Sequence, residues 1–508
     1  DLDFTQLRKK SCRFPPKLAG SHSLDAWGQR LGVMKGAYGK TTENAWNQWS
    51  EDMQRYCEQD VEVLEALYRH ILDQRYSPEA LALEHEFQQV IFHQERTGVW
   101  FDERAAQSLY AELAAKRNDA VTTLQEVFPP KRIEEIFIPK ANNRTRGYVK
   151  GVPFTKVRYE PFNPASRQQI ADRLMEKHGW KPSEFTDTGQ PKVDEDVLAS
   201  LPFPECKPLV DYLELLKIIG MLAEGKNGWL KLVGPDGRIH GRVITNGAVT
   251  GRCTHNSPNL AQIPARGQYG KQCRALFAAP PPLVQVGADA SGLELRMLAH
   301  YLAAYDGGAY AKALLEGDIH TANQHAAGLE TRDKTFIYAF LYGAGDEKLG
   351  SIVAPLASSA VQTKRGRALK ARFFRSLPAI KRLIDDVQGV LTGPGKRPYL
   401  IGIDGRHLHI RSSHSALNTL LQSAGAVLMK LATVIFHMEA QRRGFKLGED
   451  YVQVLHVHDE CQCNTTPEKA DALGRLFVEA IELAGRHFGM RCPTTGEFKV
   501  GANWAETH

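Results

Sequence analysis

Apolar residues recur every three or four positions from 50 to 72 (SEDMQRYCEQDVEVLEALYRHIL), the spacing of one helix face. The rest of residues 1–80 is mixed. Two long amphipathic helices are predicted over 80–128, with Asp102 capping the second and Pro129-Pro130 stopping it. Helical spacing resumes at 165–177 and 208–232. From 239 to 289 short apolar runs alternate with Gly, Asn and Pro, which predicts strands and loops. Residues 291–390 are mostly helical in pattern. Strands are predicted at 399–411 and 451–463, on either side of a helix over 416–441. The chain has no internal repeat and no low-complexity segment.

At 508 residues the chain has room for about three domains. Hydrophobic content of 43% and charged content of 24% are those of an ordinary globular protein. No run of 18 apolar residues appears, and the start, DLDFTQLRKK, has no apolar signal region. The eight cysteines form no CxxC or CxxH cluster of zinc spacing. Cys461 and Cys463 share one face of a predicted strand and read as small buried apolar residues, and a reduced, intracellular setting is expected. The net charge of +6 is mild, but its distribution is uneven. Residues 131–158 hold eight Lys or Arg against two acids, with Phe137, Tyr148 and Phe154 interleaved. This stretch reads as a basic, loop-rich insertion that touches phosphate, in preference to a merely solvated surface.

Two carboxylates stand where chemistry is plausible. In LVQVGADASGLELRMLAHYL (283–302) a strand-like run ends at Asp289 and a helix follows. In YVQVLHVHDECQCN (451–464) two strand-like runs flank His458-Asp459-Glu460, so a hairpin turn presents Asp459. Acids at strand ends are costly unless paired or bound to metal, and two together repel unless cations lie between them. Nucleotidyl transfer uses such a pair to hold two Mg²⁺ ions roughly 3.5–4 Å apart. Taken singly, each Asp is equally well a helix or turn cap. A third element, DKTFIYAFLYGAG (333–345), puts Lys334, Tyr338 and Tyr342 on one helix face. A cation and two rings suit a nucleoside triphosphate. Phe336, Ile337, Phe340 and Leu341 supply the apolar face that would otherwise claim the tyrosines for a core.

These three segments resemble motifs A, B and C of the family A DNA polymerases, most closely the replicative polymerases of short-tailed bacteriophages. SHSLDAWGQRLG (21–32), NGAVTGRCTHNSPNLAQIP (246–264), GDIHTANQ (317–324), LNTLLQSAGA (417–426) and GANWAETH (501–508) extend the resemblance from about residue 21 to the last. It implies that Asp289, Asp459 and the Ala290 carbonyl bind the metals. It also implies that Lys334 contacts the triphosphate and protonates pyrophosphate, and that His320 and Arg332 touch phosphates. Glu294 and Tyr342 would wall off a ribose 2′-hydroxyl beside Tyr338. Arg252, Asn259, Gln262 and Gln422 would hold the primer-template, His458 would sit by the primer terminus, and the terminal carboxylate of His508 would approach the site.

Two departures from the family are visible. The family's Arg lies four residues before the motif B lysine, where this chain has Glu330; Arg332 is only two before Lys334. Two residues on a helix point about 200° apart, and the preferred reading is that two residues of the family spacing are lacking. At the front, Tyr56 and Asp60 resemble the third exonuclease motif without the acidic motifs that should precede it, so no proofreading is expected.

The resemblance implies an α/β right-handed fold of palm, fingers and thumb behind the C-terminal remnant of an RNase H-like 3′-5′ exonuclease domain. The expected divisions are exonuclease remnant 1–80, thumb 81–232 with the basic insertion at 129–160, palm 233–303, fingers 304–404 and palm 405–508. A basic run in the fingers, KRGRALKARFFRSLPAIKR (364–382), is placed toward template phosphates. Two Mg²⁺ ions, primer-template DNA and deoxynucleoside triphosphates are the implied cofactors and partners, with a processivity factor or replisome helicase as further candidates. A monomer with no membrane contact, in the cytoplasm of an infected bacterial host, completes the expectation. Three rivals stand against it. A nuclease needs the missing acidic motifs, a single-subunit RNA polymerase would not keep Glu294, and a non-catalytic DNA-binding protein has no use for Asp289, Asp459 and Lys334 together.

Overall fold

The computed structural model describes residues 15–317, 319–329, 334–355 and 357–508, without the side chains of His320, Lys334 and Thr335. It divides into two units, residues up to Ala82 with Asp404–His407, and Leu83–Ile403 with Leu408–His508. In the first, helix α1 (Leu24–Leu31) starts at Ser23, whose hydroxyl accepts from the Ala26 N–H, and ends at Gly32 in the left-handed conformation. It packs on helix α2 (Glu51–Asp73), the helix expected over 50–72.

Helix α3 (Pro78–Thr97) carries the chain into the second unit. Strand β1 (Val99–Phe101) and helix α4 (Glu103–Val127) follow, and the Asp102 carboxylate caps α4 by accepting from the Ala105 N–H at 2.9 Å, as its position predicts. The basic segment corrects the sequence reading in part. The loop expected there covers 138–153, and around it stands a hairpin of two seven-residue strands, β2 (Lys131–Phe137) and β3 (Phe154–Glu160), paired from Lys131↔Glu160 to Phe137↔Phe154. Neither face of this hairpin is buried, so no apolar-polar alternation marks it in the sequence. Helix α5 (Cys206–Ile219) returns to pack on α4.

Short strands β4 (Arg242–Ile244) and β5 (Thr254–Asn256) pair, and helix α6 (Gly270–Ala275) leads to strand β6 (Val284–Ala290). Helices α7 (Leu293–Asp306), α8 (Lys334–Leu341), α9 (Ser359–Ser376) and α10 (Pro378–Thr392) match the helical pattern of 291–390. The strand expected over 399–411 is two three-residue strands, Tyr399–Ile401 and His407–His409, because Asp404-Gly405 turns the chain between them. Helix α11 (Ala416–Arg442) is the expected core helix, followed by strands β7 (Tyr451–Val457) and β8 (Glu460–Thr465), helix α12 (Pro467–His487) and strand β9 (Gly496–Gly501). The helix over Ser413–Arg442 is long and apolar enough to cross a membrane, but 78% of its apolar window is buried inside the protein, the mark of a core helix.

The site rests on an antiparallel sheet in the order β7-β8-β6-β9. Its two faces differ in chemistry. Ala288, Ala290, Cys461 and Cys463 point into a core shared with Leu428 and Met429 of α11 and Phe477 of α12. Gln285, Gly287 and Asp289 share the other face with Asn464, Gln462 and Glu460, their cross-strand partners. That polar face is covered by the last residues of the chain. A side chain at Gly287 would lie 2.5 Å from the Thr507 carbonyl oxygen, so only glycine allows the tail to approach.

Candidate functional site

Asp289 is the penultimate residue of β6 and pairs in register with Glu460, the first residue of β8. Asp459 lies in the two-residue turn between β7 and β8, after His458 at φ 60°. That left-handed residue lets the chain reverse within the turn. The Ala290 N–H donates to the Asp459 carbonyl at 3.0 Å and ties the turn to the end of β6. Strand register thus brings both aspartates to one edge of the sheet. Burial first, then the charges of Asp459 and Glu460, push the Asp289 carboxyl up to about 7. Burial also raises Asp459. Acids that resist ionising side by side form a natural cation site. Among the described residues no group of three or more His, Cys, Asp and Glu side chains forms a metal cage. Two carboxylates are a sparse oxygen set, of the kind that suits a cation keeping water and substrate ligands.

Alongside stands a polar wall. Glu294 is in the first turn of α7, and its carboxylate accepts from the Tyr342 hydroxyl and from Arg252 Nη2, the latter at 3.2 Å. Tyr342 follows α8 directly, and its N–H donates to the Tyr338 carbonyl at 2.9 Å, extending the helical turn. Phe336, Ile337, Phe340 and Leu341 are buried in the core; Tyr338 is half-buried against its edge, and Tyr342 is exposed. Burial raises the Tyr338 hydroxyl pKa, and the charges of Glu294 and Asp459 raise it further, so this hydroxyl is within electrostatic reach of both. Lys334 opens α8 and His320 lies in the helix Ile319–Ala327, but both side chains, and all of Arg332, fall outside the described residues.

An open cleft of about 420 Å³ joins Arg252, Gln422 and His458. Arg411 and Asn418 line it too, and neither was singled out in the sequence. Asn418 had a signal, standing one helical turn before Gln422, whereas Arg411 had none. Asn259 precedes the short 3-10 turn Leu260–Gln262 and Gln262 ends it, and neither lines the cleft; Gln262 is exposed, and the Asn259 side-chain oxygen is buried without a partner.

The sequence also passed over a cluster on the polar sheet face. Glu460 accepts from Gln462 Nε2 at 2.6 Å and from Trp504 Nε1, and its other oxygen lies 2.9 Å from His508 Nδ1. Burial favours the neutral acid, but His508, Arg274 and Trp504 together hold its carboxyl below the usual range. The imidazole of His508 thus makes a contact on this face. In the first unit Asp60 accepts from Lys35 Nζ at 2.7 Å, and the same ammonium lies 5.0 Å from the Tyr56 ring centroid. A cation of the chain's own therefore faces this carboxylate.

The model for DNA polymerase family A matches residues 150–506. The DNA-directed DNA polymerase of Enterobacteria phage T3 is 40% identical over 611 aligned residues, spanning 100% of this chain and 85% of the relative. That of Escherichia phage T7 is 40% identical over 610, with the same coverage. The thermostable DNA polymerase I of Thermus aquaticus is 28% identical over 368 residues, 68% of this chain and 42% of the relative. Among solved structures, the POL domain of Pol1 from M. smegmatis, in complex with DNA primer-template and dNTP, superposes with a TM-score of 0.74. It shares 20% identity and covers 96% of this chain and 79% of that one, a likeness of fold.

Proposed function

The chain belongs to DNA polymerase family A, and on that premise we propose that it extends a DNA primer along a template with deoxynucleoside triphosphates, as a phage replicative enzyme. The observation that carries this reading is the convergence of Asp289 and Asp459 at one sheet edge beside the Glu294–Tyr342–Arg252 wall. Asp289, Asp459 and the Ala290 carbonyl would hold two Mg²⁺ ions, which when bound activate the 3′-hydroxyl and neutralise the leaving pyrophosphate. The remaining work falls to side chains. Tyr338 and Tyr342 support the sugar, Lys334, His320 and Arg332 meet the phosphates, and Arg252, Asn259, Gln262, Gln422 and His458 steady the primer-template. In this reading residues 233–303 and 405–508 form the palm, 304–404 the fingers and 81–232 the thumb. Host cytoplasm is the proposed setting.

Asp289→Asn and Asp459→Asn should each abolish extension while leaving primer-template affinity nearly intact, since phosphate contacts dominate binding. Extension above a few per cent of the parent rate in Mg²⁺ (a loss of less than roughly 2 kcal/mol of transition-state stabilisation) would overturn the assignment. Tyr56 and Asp60 are read as the exonuclease remnant, with Lys35 in place of a metal. A preparation of these 508 residues should leave a mismatched 3′ end intact. Degradation that Asp60→Ala stops would reverse that reading.

A further inference from the structure

Arg274 is a buried guanidinium with an unusual address. It sits on the short helix α6, and its Cζ stacks 4.2 Å from the Trp504 ring centroid. Its Nη1 lies 3.6 Å from Glu460 Oε2, and its Nε and Nη1 have no hydrogen-bond partner. An arginine is buried this way only where a negative charge needs it. The acid it faces is the immediate chain neighbour of Asp459 and the cross-strand partner of Asp289. Three carboxylates therefore crowd one sheet edge, and Glu460 is the one whose two oxygens are both engaged by neighbouring side chains. Glu460 is turned to the polar sheet face, where Gln462, Trp504 and His508 engage it.

We propose that Arg274 is a positioning residue, which together with Trp504 holds Glu460 away from the cations so that Asp289 and Asp459 alone present charge to them. The proposal rests on the reading of those two aspartates as the metal-binding pair. A third free carboxylate at this edge would attract a cation strongly but to the wrong place. Metal affinity and turnover should then move in opposite directions when Arg274 is lost. A purely structural residue would move them together or leave metal binding alone.

The test is Mn²⁺ binding to the full chain without DNA, followed by electron paramagnetic resonance, alongside primer extension. Arg274→Gln should bind Mn²⁺ roughly tenfold tighter and extend at least about tenfold more slowly, the scale on which outer partners tune metal sites. Adding Glu460→Gln to that variant should return Mn²⁺ binding to the parent value. Unchanged Mn²⁺ binding in Arg274→Gln, or a tightening that persists with Gln at 460, would sink the proposal. If Arg274→Gln does not fold, Trp504→Phe removes another support of the same carboxylate and should tighten Mn²⁺ binding too; no change there counts equally against it. Asp289→Asn separates the premise, because Mn²⁺ binding that survives it overturns the metal pair itself.

Discussion

At the scale of single residues, the site divides its work by what each oxygen can accept. Glu294 takes donors from Tyr342 and Arg252 on one carboxylate oxygen, which fixes the side chain where the proposed function puts the sugar. Removing it leaves a space that a 2′-hydroxyl can enter. Tyr338 stands one turn earlier on the same helix, near both Glu294 and Asp459 in charge. Under the proposed function its hydroxyl replaces the missing 3′-oxygen of a dideoxynucleotide, and phenylalanine cannot. An unmet polar requirement costs about 1–3 kcal/mol, or roughly tenfold to a hundredfold in rate. Glu294→Ala should therefore admit ribonucleotides, and Tyr338→Phe should make the enzyme reject dideoxynucleotides, by ratios of that size in competition on one primer-template. Unchanged dideoxy incorporation in Tyr338→Phe would show that α8 does not lie over the nucleotide. The two aspartates were legible in the sequence because each ends a strand-length apolar run. Arg274 and Trp504 were not, since their meaning lies in contacts with Glu460, 186 and 44 positions away along the chain.

Among the elements, the hairpin β2–β3 is the one whose shape the sequence concealed and whose composition it showed. Opposed residues share a face, so Arg158, Lys156, Phe137 and Phe154 stand on one side, with Lys156 over the Phe137 ring at 3.7 Å. Tyr159, Val157 and Ile136 stand exposed on the other. Arg144, Arg146 and Lys150 lie in the connecting loop, all exposed. If this loop tracks the DNA backbone, replacing those three with Ala should flatten the salt dependence of binding, the log-log slope falling by roughly 0.9 per lost contact. An unchanged slope would return the loop to solvent. By contrast α11 and the β7–β8 hairpin were plain in the sequence, because burial imposes a long apolar period on one and two apolar runs around a turn on the other. The divided strands near residue 400 were misread because three-residue strands are too short to show a period.

For the molecule as a whole, the second unit is held by a polar interior as well as by its apolar clusters, and that interior sets a pH limit. His437 is buried, with Nε2 3.1 Å from Gln453 Oε1 and Nδ1 3.0 Å from the Tyr451 hydroxyl. The amide oxygen can only accept, so Nε2 carries the proton and Nδ1 receives one from tyrosine, a pattern that requires the neutral ring. Burial lowers His437 to about 4, and it lowers His255 to about 4 and His456 to about 3, with neighbouring His or Lys charges adding to the latter two. The unfolded chain takes these protons near pH 6.5 and the folded chain refuses them. Their contribution to stability is complete above about 6.5 and is lost as pH falls toward 4, about 2 kcal/mol for His437 by pH 5. Asp289 acts in the opposite sense, since an acid raised to about 7 favours the folded state as pH falls through that value. Substituting one histidine isolates its share. Thermal melting without metal should show the parent losing more stability between pH 7.5 and 5 than His437→Gln does, by roughly 2 kcal/mol. If both lose the same amount, His437 takes up its proton without breaking the Tyr451–His437–Gln453 chain, and the acid limit belongs to other groups.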